Sequence, residues 1–185
     1  MKIKGTAVRS INDFIRKRFP EEYEKWISSL PESSRYIFQN PIFVTNWYPL
    51  NEACIIPTET AAKLFFENDV IKAGYESGKY SAESALNGIY KIFIKVSSPN
   101  FIIKRAGIVF GSYFEPSNIT VVENLSKSAV VHISNFPEMN IVVEQRIHGW
   151  MFQAITMAGA KNLKIGITQS LTKGNEVTEY IINWD

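Results

Sequence analysis

The last third of the chain shows two kinds of hydrophobic periodicity in turn. In four segments apolar residues alternate with polar ones or form short runs, which predicts β-strands. A longer segment with helical spacing separates the second strand from the third. The predicted order is strand 118–123, strand 128–134, helix 138–158, strand 163–168 and strand 177–184. Lys173-Gly174-Asn175, between the last two strands, is typical of a tight hairpin turn.

The first two-thirds of the chain carries signals for helix starts. Ser10 and Asp13 have the spacing of a capping box, and Pro31 and Pro99 suit a first helical position. Residues 40–56, with prolines among aromatic residues, predict an irregular connector.

These patterns together predict an α+β fold. We expect a single domain spanning residues 1–185, mainly helical over 1–117 and strand–strand–helix–strand–strand over 118–185. In this arrangement the C-terminal third forms a four-stranded, mostly antiparallel sheet on which the helices pack.

Two helices are predicted in the centre of the chain, over 81–96 and 99–114. The first has a single polar stripe and is otherwise apolar, so we expect it to be largely buried. That stripe consists of Glu83, Asn87, Lys91 and Lys95. The second has an apolar side formed by Ile102, Ala106, Val109, Phe110 and Tyr113.

Composition and charge narrow the functional classes. The 185 residues are 45% hydrophobic, with 20 basic and 18 acidic residues and a net charge of +2. A nucleic-acid-binding surface needs clustered positive charge. Because the basic run 16–18 is followed at once by acidic residues 21 and 22, the sequence argues against nucleic-acid binding.

No apolar run approaches the roughly 20 residues of a membrane span. Cys54 stands alone and forms no internal disulfide, so we expect a cytoplasmic protein.

Several short motifs follow one another in a characteristic order along almost the whole chain. They are Lys4-Gly5-Thr6, Phe14-Ile15, Trp26, Gly88-Ile89-Tyr90, Ser97-Ser98-Pro99, His148-Gly149-Trp150 and Tyr180-Ile181-Ile182-Asn183-Trp184. With this order and spacing, the sequence resembles the superfamily that unites haem–nitric oxide binding domains, vinyl-4-reductase-type domains and vesicle-transport-particle subunits. It is most similar to the bacterial non-haem members of that superfamily.

The resemblance also predicts where this chain departs from the haem-binding branch. In that branch a histidine on the helix corresponding to 81–96 ligates iron, and here that position falls at or near Asn87. The branch's Tyr-x-Ser-x-Arg signature is missing as well. We therefore expect no haem and no other cofactor. The resemblance places a small ligand site at Asn87, Tyr90 and Ile94, and we expect bulky side chains to fill most of the space that a porphyrin would need.

Catalytic chemistry was sought independently of the resemblance. Glu144 and His148 are one helical turn apart and are candidates for an acid–base pair or two metal ligands. A zinc site needs a further ligand, and His132 is the only other histidine. A surface or partly buried helix pair is the more common reading, so we expect no metal site and no enzyme. Cys54, in an apolar setting, is expected to be an inert buried thiol.

Three functional hypotheses follow, in this order of preference. The first is a non-haem sensory or adaptor module that binds a small apolar molecule and serves signalling. The second is a structural interaction protein, resembling the transport subunits, that binds a protein partner or forms a homodimer through apolar helix faces. The third is an enzyme that uses Glu144 and His148.

Overall fold

A computed structural model describes residues 1–87 and 98–185. Within these ranges the helices are α1 Gly5–Arg18, α2 Tyr23–Ser29, α3 Glu32–Gln39, α4 Ile56–Phe65, α5 Val70–Asn87, α6 Pro99–Lys104, α7 Ala106–Gly111 and α8 Ile141–Met157. A π-helical turn, Asn51–Ile55, leads into α4, and a 3₁₀ turn, Leu171–Lys173, follows a C-terminal strand. In the described ranges, no helix is long and apolar enough to cross a membrane.

The strands form two antiparallel sheets in the described ranges. A small sheet contains β1 Lys2–Lys4, β2 Trp47–Pro49 and β3 Phe114–Glu115 in the order β2-β1-β3. The larger sheet contains β4 Asn118–Asn124, β5 Ser128–Ser134, β6 Lys164–Gln169 and β7 Thr178–Asn183 in the order β4-β5-β7-β6. The predicted α+β class and the four-stranded C-terminal sheet are confirmed.

The larger sheet follows the alternation in the sequence. On β5, Ala129, Val131 and Ile133 are buried, whereas the intervening residues are half-buried. Tyr180 and Ile182 of β7 are also fully buried and continue this inner face. The final turn contains Gly174 with φ of 83°, a left-handed conformation that glycine adopts without a steric cost. Gly174 therefore supplies the predicted left-handed residue, but the connection spans residues 170–177 and includes the 3₁₀ turn, so it is longer than the tight hairpin turn that was predicted.

Helices α5 and α8 pack closely against each other because glycines remove side chains from their contact. A β carbon on Gly78 would lie 2.0 Å from the backbone oxygen of Arg146, and one on Gly149 would lie 2.0 Å from that of Tyr75. A β carbon on Gly74 would lie 2.7 Å from the backbone oxygen of Val142. The two backbones therefore touch at several successive points, and α8 is held between α5 and the sheet.

Several predicted boundaries were wrong. Ser81 lies inside α5 rather than at a helix start, because the helical pattern already begins at Val70. The helix predicted over 138–158 begins at Ile141, where the Asn140 side chain accepts a hydrogen bond from the Val143 amide at 3.0 Å. The helix predicted over 99–114 is two short helices that meet at Arg105.

The predicted irregular connector contains regular structure. Within residues 40–56 the chain forms strand β2 and the π-helical turn, because β1 supplies a backbone partner that local sequence does not reveal. Residues 88–97, the remainder of the predicted helix 81–96, lie outside the described ranges.

Candidate functional site

An apolar pocket of about 70 Å³ lies between the α6–α7 segment, helix α8 and the inner face of the larger sheet. We call it the apolar pocket. Its described walls come from seven segments of the chain. They are Ala7 of α1; Ser81 of α5; Ile102, Ile103, Ala106, Val109, Phe110, Tyr113 and Phe114; Ile119 and Val131; Arg146, Ile147, Trp150, Met151, Ala154 and Ile155 of α8; and Ile182.

Helical spacing explains how the walls form. On α8 the lining residues follow each other at i, i+1, i+4 and i+5, which places them on one side of the helix. The five apolar residues predicted to share a side of the segment 99–114 all line the pocket, even though the helix breaks at Arg105. The sequence therefore predicted that these residues share one side, although not that they line a pocket, and the break in the helix did not separate them.

Of the three residues predicted to bind a ligand, the structure describes only Asn87. Asn87 is exposed at the end of α5 and is not among the described residues of the apolar pocket. Tyr90 and Ile94 lie outside the described ranges. The described part of the chain therefore places its pocket away from Asn87, because the inward side of α5 presents Ser81, whereas Glu83 and Asn87 are exposed.

One wall of the apolar pocket carries a buried cation. Arg146 is only 3% exposed. Its guanidinium donates to the Ser77 hydroxyl, to the Ser10 hydroxyl at 2.9 Å and to the backbone oxygen of Ala7 at 3.2 Å. Ser10 in turn donates to the Ser81 hydroxyl at 2.9 Å. Burial lowers the pKa of Arg146, and no acidic side chain in the described ranges pairs with it.

A second buried donor lies one helical turn further along α8. The indole Nε1 of Trp150 is buried and has no hydrogen-bond acceptor among the residues that the structure describes. The Trp150 ring contacts the Tyr113 ring edge-on, with centroids 6.0 Å apart. Arg146 and Trp150 thus bring two polar hydrogen-bond donors to a wall that is otherwise mostly apolar.

Glu144 and His148, the candidate acid–base pair, make different contacts. Glu144 is buried and accepts hydrogen bonds from the Ser170 hydroxyl and, at 3.2 Å, from the Thr178 hydroxyl. The His148 ring lies 3.3 Å from Gln145 Oε1 and contacts the Tyr75 ring. Burial lowers the pKa of His148. No hydrogen bond joins the two side chains in the described structure, and neither lines the apolar pocket.

The remaining polar candidates are also dispersed. His132 lies on β5, and its Nε2 is 2.6 Å from Glu179, which also accepts a hydrogen bond from Thr168. No group of three potential metal ligands occurs within residues 1–87 and 98–185. Cys54 is fully buried, and burial raises the pKa of its thiol while the nearby Arg146 cation offsets part of that rise.

Comparison with known proteins finds matches among solved structures. No family model and no curated protein matches the chain. The H-NOX protein of S. oneidensis in its Fe(II)NO ligation state matches with a TM-score of 0.74 and 12% identity, covering 99% of both chains. The Fe(II) unliganded H-NOX protein of K. algicida matches with a TM-score of 0.73 and 11% identity, covering 99% of this chain and 97% of that one.

The chain has an H-NOX-like fold. This likeness to solved H-NOX structures concerns the course of the backbone. Because identity is so low, it carries the fold alone, and the chemistry of the site has to be argued from the residues that this chain places there.

The described walls do not fit a haem. The chain has two histidines, and neither lines the apolar pocket. Tyr113 and Met151 do line it, and their side-chain types ligate haem iron in other proteins. A volume of about 70 Å³, however, is well below the roughly 300–1,000 Å³ of pockets that hold drug-sized ligands, which are smaller than haem.

Arg146 and Trp150 are the residues that the sequence analysis missed. The available signal was an arginine within an apolar helical stripe, with Val142, Val143 and Ile147 around it. Such a position predicts either a buried, partnered cation or a ligand contact. The motif His148-Gly149-Trp150 was noticed only for its order in the chain.

Proposed function

We propose that this protein is a sensory module that binds a small, largely apolar molecule in the apolar pocket and does not use haem. One observation carries the proposal: an H-NOX-like fold retains a pocket at its centre, but that pocket has a wall of apolar side chains and a volume of about 70 Å³. An engineered apolar cavity of roughly 150 Å³ binds benzene or xenon, so the observed space suits a smaller molecule or one that displaces side chains slightly.

A free diatomic gas is a poor candidate for the physiological ligand. The best small ligands gain at most about 1.5 kcal/mol per non-hydrogen atom, so two atoms gain about 3 kcal/mol. That free energy corresponds to a dissociation constant weaker than 1 mM, for which about 4.1 kcal/mol is needed. A ligand with about five non-hydrogen atoms has a ceiling near 7.5 kcal/mol, which allows micromolar binding.

Haem reconstitution tests the non-haem part of the proposal. The purified protein is incubated with haem, freed of excess and examined by absorption spectroscopy. We expect no stoichiometric Soret band. A stoichiometric band that is lost in Tyr113→Phe or Met151→Leu, the two potential iron donors at the wall, would contradict the proposal, because it would show specific ligation from within the pocket.

Binding of a neutral apolar probe tests the pocket itself. Benzene is titrated into the protein, and the methyl resonances of Met151 and Ile147 are followed by NMR. Saturable shifts at these methyl groups are expected. Val131→Ile adds one methyl group to the wall and should weaken the shifts, whereas Val44→Ile, at an exposed position in a loop, serves as the matched control.

A second candidate function, self-association, is favoured by exposed apolar side chains near the same segment. Ile108 of α7 is 76% exposed, Val122 of β4 is 55% exposed and Leu125, just after β4, is 54% exposed. Exposed apolar groups of this kind are typical of interaction surfaces when they are contiguous. Light scattering at high protein concentration tests this candidate: a dimer dissociated by Ile108→Lys supports it, and a monomer at all concentrations contradicts it.

A further inference from the structure

The polar groups of the apolar pocket have an unusual property in common, since they can all donate hydrogen bonds. Arg146 and Trp150 possess N–H groups but no acceptor, and Ser81 and Tyr113 bring hydroxyls, which can donate as well as accept. No carboxylate and no carboxamide side chain is among the described wall residues. A ligand whose polar end is itself a donor would therefore find few partners. A ligand with an acceptor-only end, such as a carboxylate, complements this wall.

The hydrogen bonds of Arg146 to the described residues occupy only part of its guanidinium. A guanidinium has five N–H donors. Three hydrogen bonds to neutral oxygens are seen within the described ranges, to Ser77, Ser10 and Ala7. Two N–H groups thus have no acceptor there. A buried charge without a counter-charge is costly, so an anion bound at this wall would recover part of the cost of burying Arg146.

The other two donor residues line the same pocket as Arg146. Trp150 follows Arg146 by four residues on α8, which sets the two side chains one above the other on the helix. Ser81 accepts a hydrogen bond from Ser10, which also accepts one from Arg146, so Ser81 lies within the same hydrogen-bonded chain. The single hydroxyl hydrogen of Ser10 faces two acceptors, the Ser81 hydroxyl and the backbone oxygen of Ala7 at 2.7 Å.

We propose that the ligand of the apolar pocket is a small monocarboxylate with a short apolar tail. Its carboxylate binds Arg146, with Trp150 and Ser81 as further donors, and its tail packs among the apolar walls formed by Ile147, Met151 and Phe110. This inference rests on the proposed function, because it specifies the ligand of the same pocket. Size also favours it, since a short acid has about five or six non-hydrogen atoms, whereas a phosphate ester brings a bulkier and more strongly hydrated head.

Three probes separate the contributions of charge and tail. Calorimetric titrations at pH 7 compare butyrate, 1-butanol and acetate, and methyl NMR locates the binding. Butyrate should bind about tenfold or more tightly than butanol, because charge-assisted hydrogen bonds add to the apolar contact. Acetate, which lacks most of the tail, should bind most weakly.

Variants assign the preference to the named donors. Arg146→Gln should abolish the preference for butyrate over butanol, while Arg9→Gln, at an exposed arginine, should leave it unchanged. If Arg146→Gln does not fold, Trp150→Phe removes only the N–H donor and should still reduce butyrate affinity severalfold. Trp47→Phe, a tryptophan outside the pocket, is its matched control.

The outcomes distinguish this inference from the proposed function. If benzene and butanol bind in the pocket but butyrate binds no better than butanol, the carboxylate inference is wrong and the small-molecule module stands. If benzene, butanol and butyrate all fail to bind, both are wrong. Butyrate binding that is equally strong in wild type, Arg146→Gln and Trp150→Phe would also overturn the inference.

Discussion

Gly78 of α5 lies directly against the backbone of Arg146 on α8, at a distance that excludes any side chain between them. The same close approach brings the Ser77 hydroxyl to the Arg146 guanidinium. Packing of the two helices and placement of the buried cation are thus one structural feature. The geometry of the pocket wall depends on residues that do not line it.

The first prediction concerns this contact. In Gly78→Ala, the new β carbon would stand 2.0 Å from the Arg146 backbone oxygen, so α5 and α8 must separate. We expect a loss of about 1–3 kcal/mol or more in the free energy of unfolding, measured by urea denaturation. Gly111→Ala, where a β carbon meets nothing within 4 Å, is the control and should be nearly neutral. Equal stabilities of the two variants would contradict the packing account.

The second prediction concerns the support of the buried cation. Ser77→Ala removes an acceptor from Arg146 and leaves another of its N–H groups without a partner. We expect a loss of about 1–3 kcal/mol in unfolding free energy, because the remaining buried donor belongs to a charged group. Ser112→Ala, at an exposed serine bonded only to the nearby Val109 backbone, should change stability far less. A negligible effect of Ser77→Ala would show that the guanidinium is solvated.

The third prediction concerns acid sensitivity. Burial lowers the pKa of His148 below its ordinary 6.5. As the pH falls below that value, the unfolded chain takes up a proton before the folded protein does, so stability decreases. Melting temperatures at pH 7.5 and 5.5 should therefore differ more in the wild type than in His148→Gln. The lowered pKa of Glu179, caused mainly by the hydrogen bond from Thr168, acts only at lower pH. If the melting temperature of His148→Gln depends on pH as strongly as that of the wild type, His148 is not a source of the acid sensitivity.

Much of the fold could be predicted from local patterns, and the C-terminal sheet shows why. Alternation along β5 sets one face toward the core, and the glycine-containing turn before β7 has a conformation that few other residues adopt. The short β1 was missed because three residues carry no recognisable period. Its formation depends on partners some 45 and 110 residues away in the chain.

The candidate site was harder to predict for a different reason. The apolar side of residues 99–114 was recognised, because burial leaves a helical pattern. The role of Arg146 depends on Ser77 and Ser10, which are distant in sequence and come together only through the glycine contacts of α5. Asn87, a position inferred by counting residues, has an exposed side chain at the end of α5, and the ligand site predicted there stays a prediction.

A crystal structure of the purified protein under xenon pressure tests the central claim most directly. Xenon occupies apolar cavities without needing polar partners, so it reports the space itself. The account predicts one xenon atom in the apolar pocket, in contact with Ile147 and Met151, and no porphyrin density. A pocket that stays empty under xenon, or a porphyrin bound in its place, would contradict it.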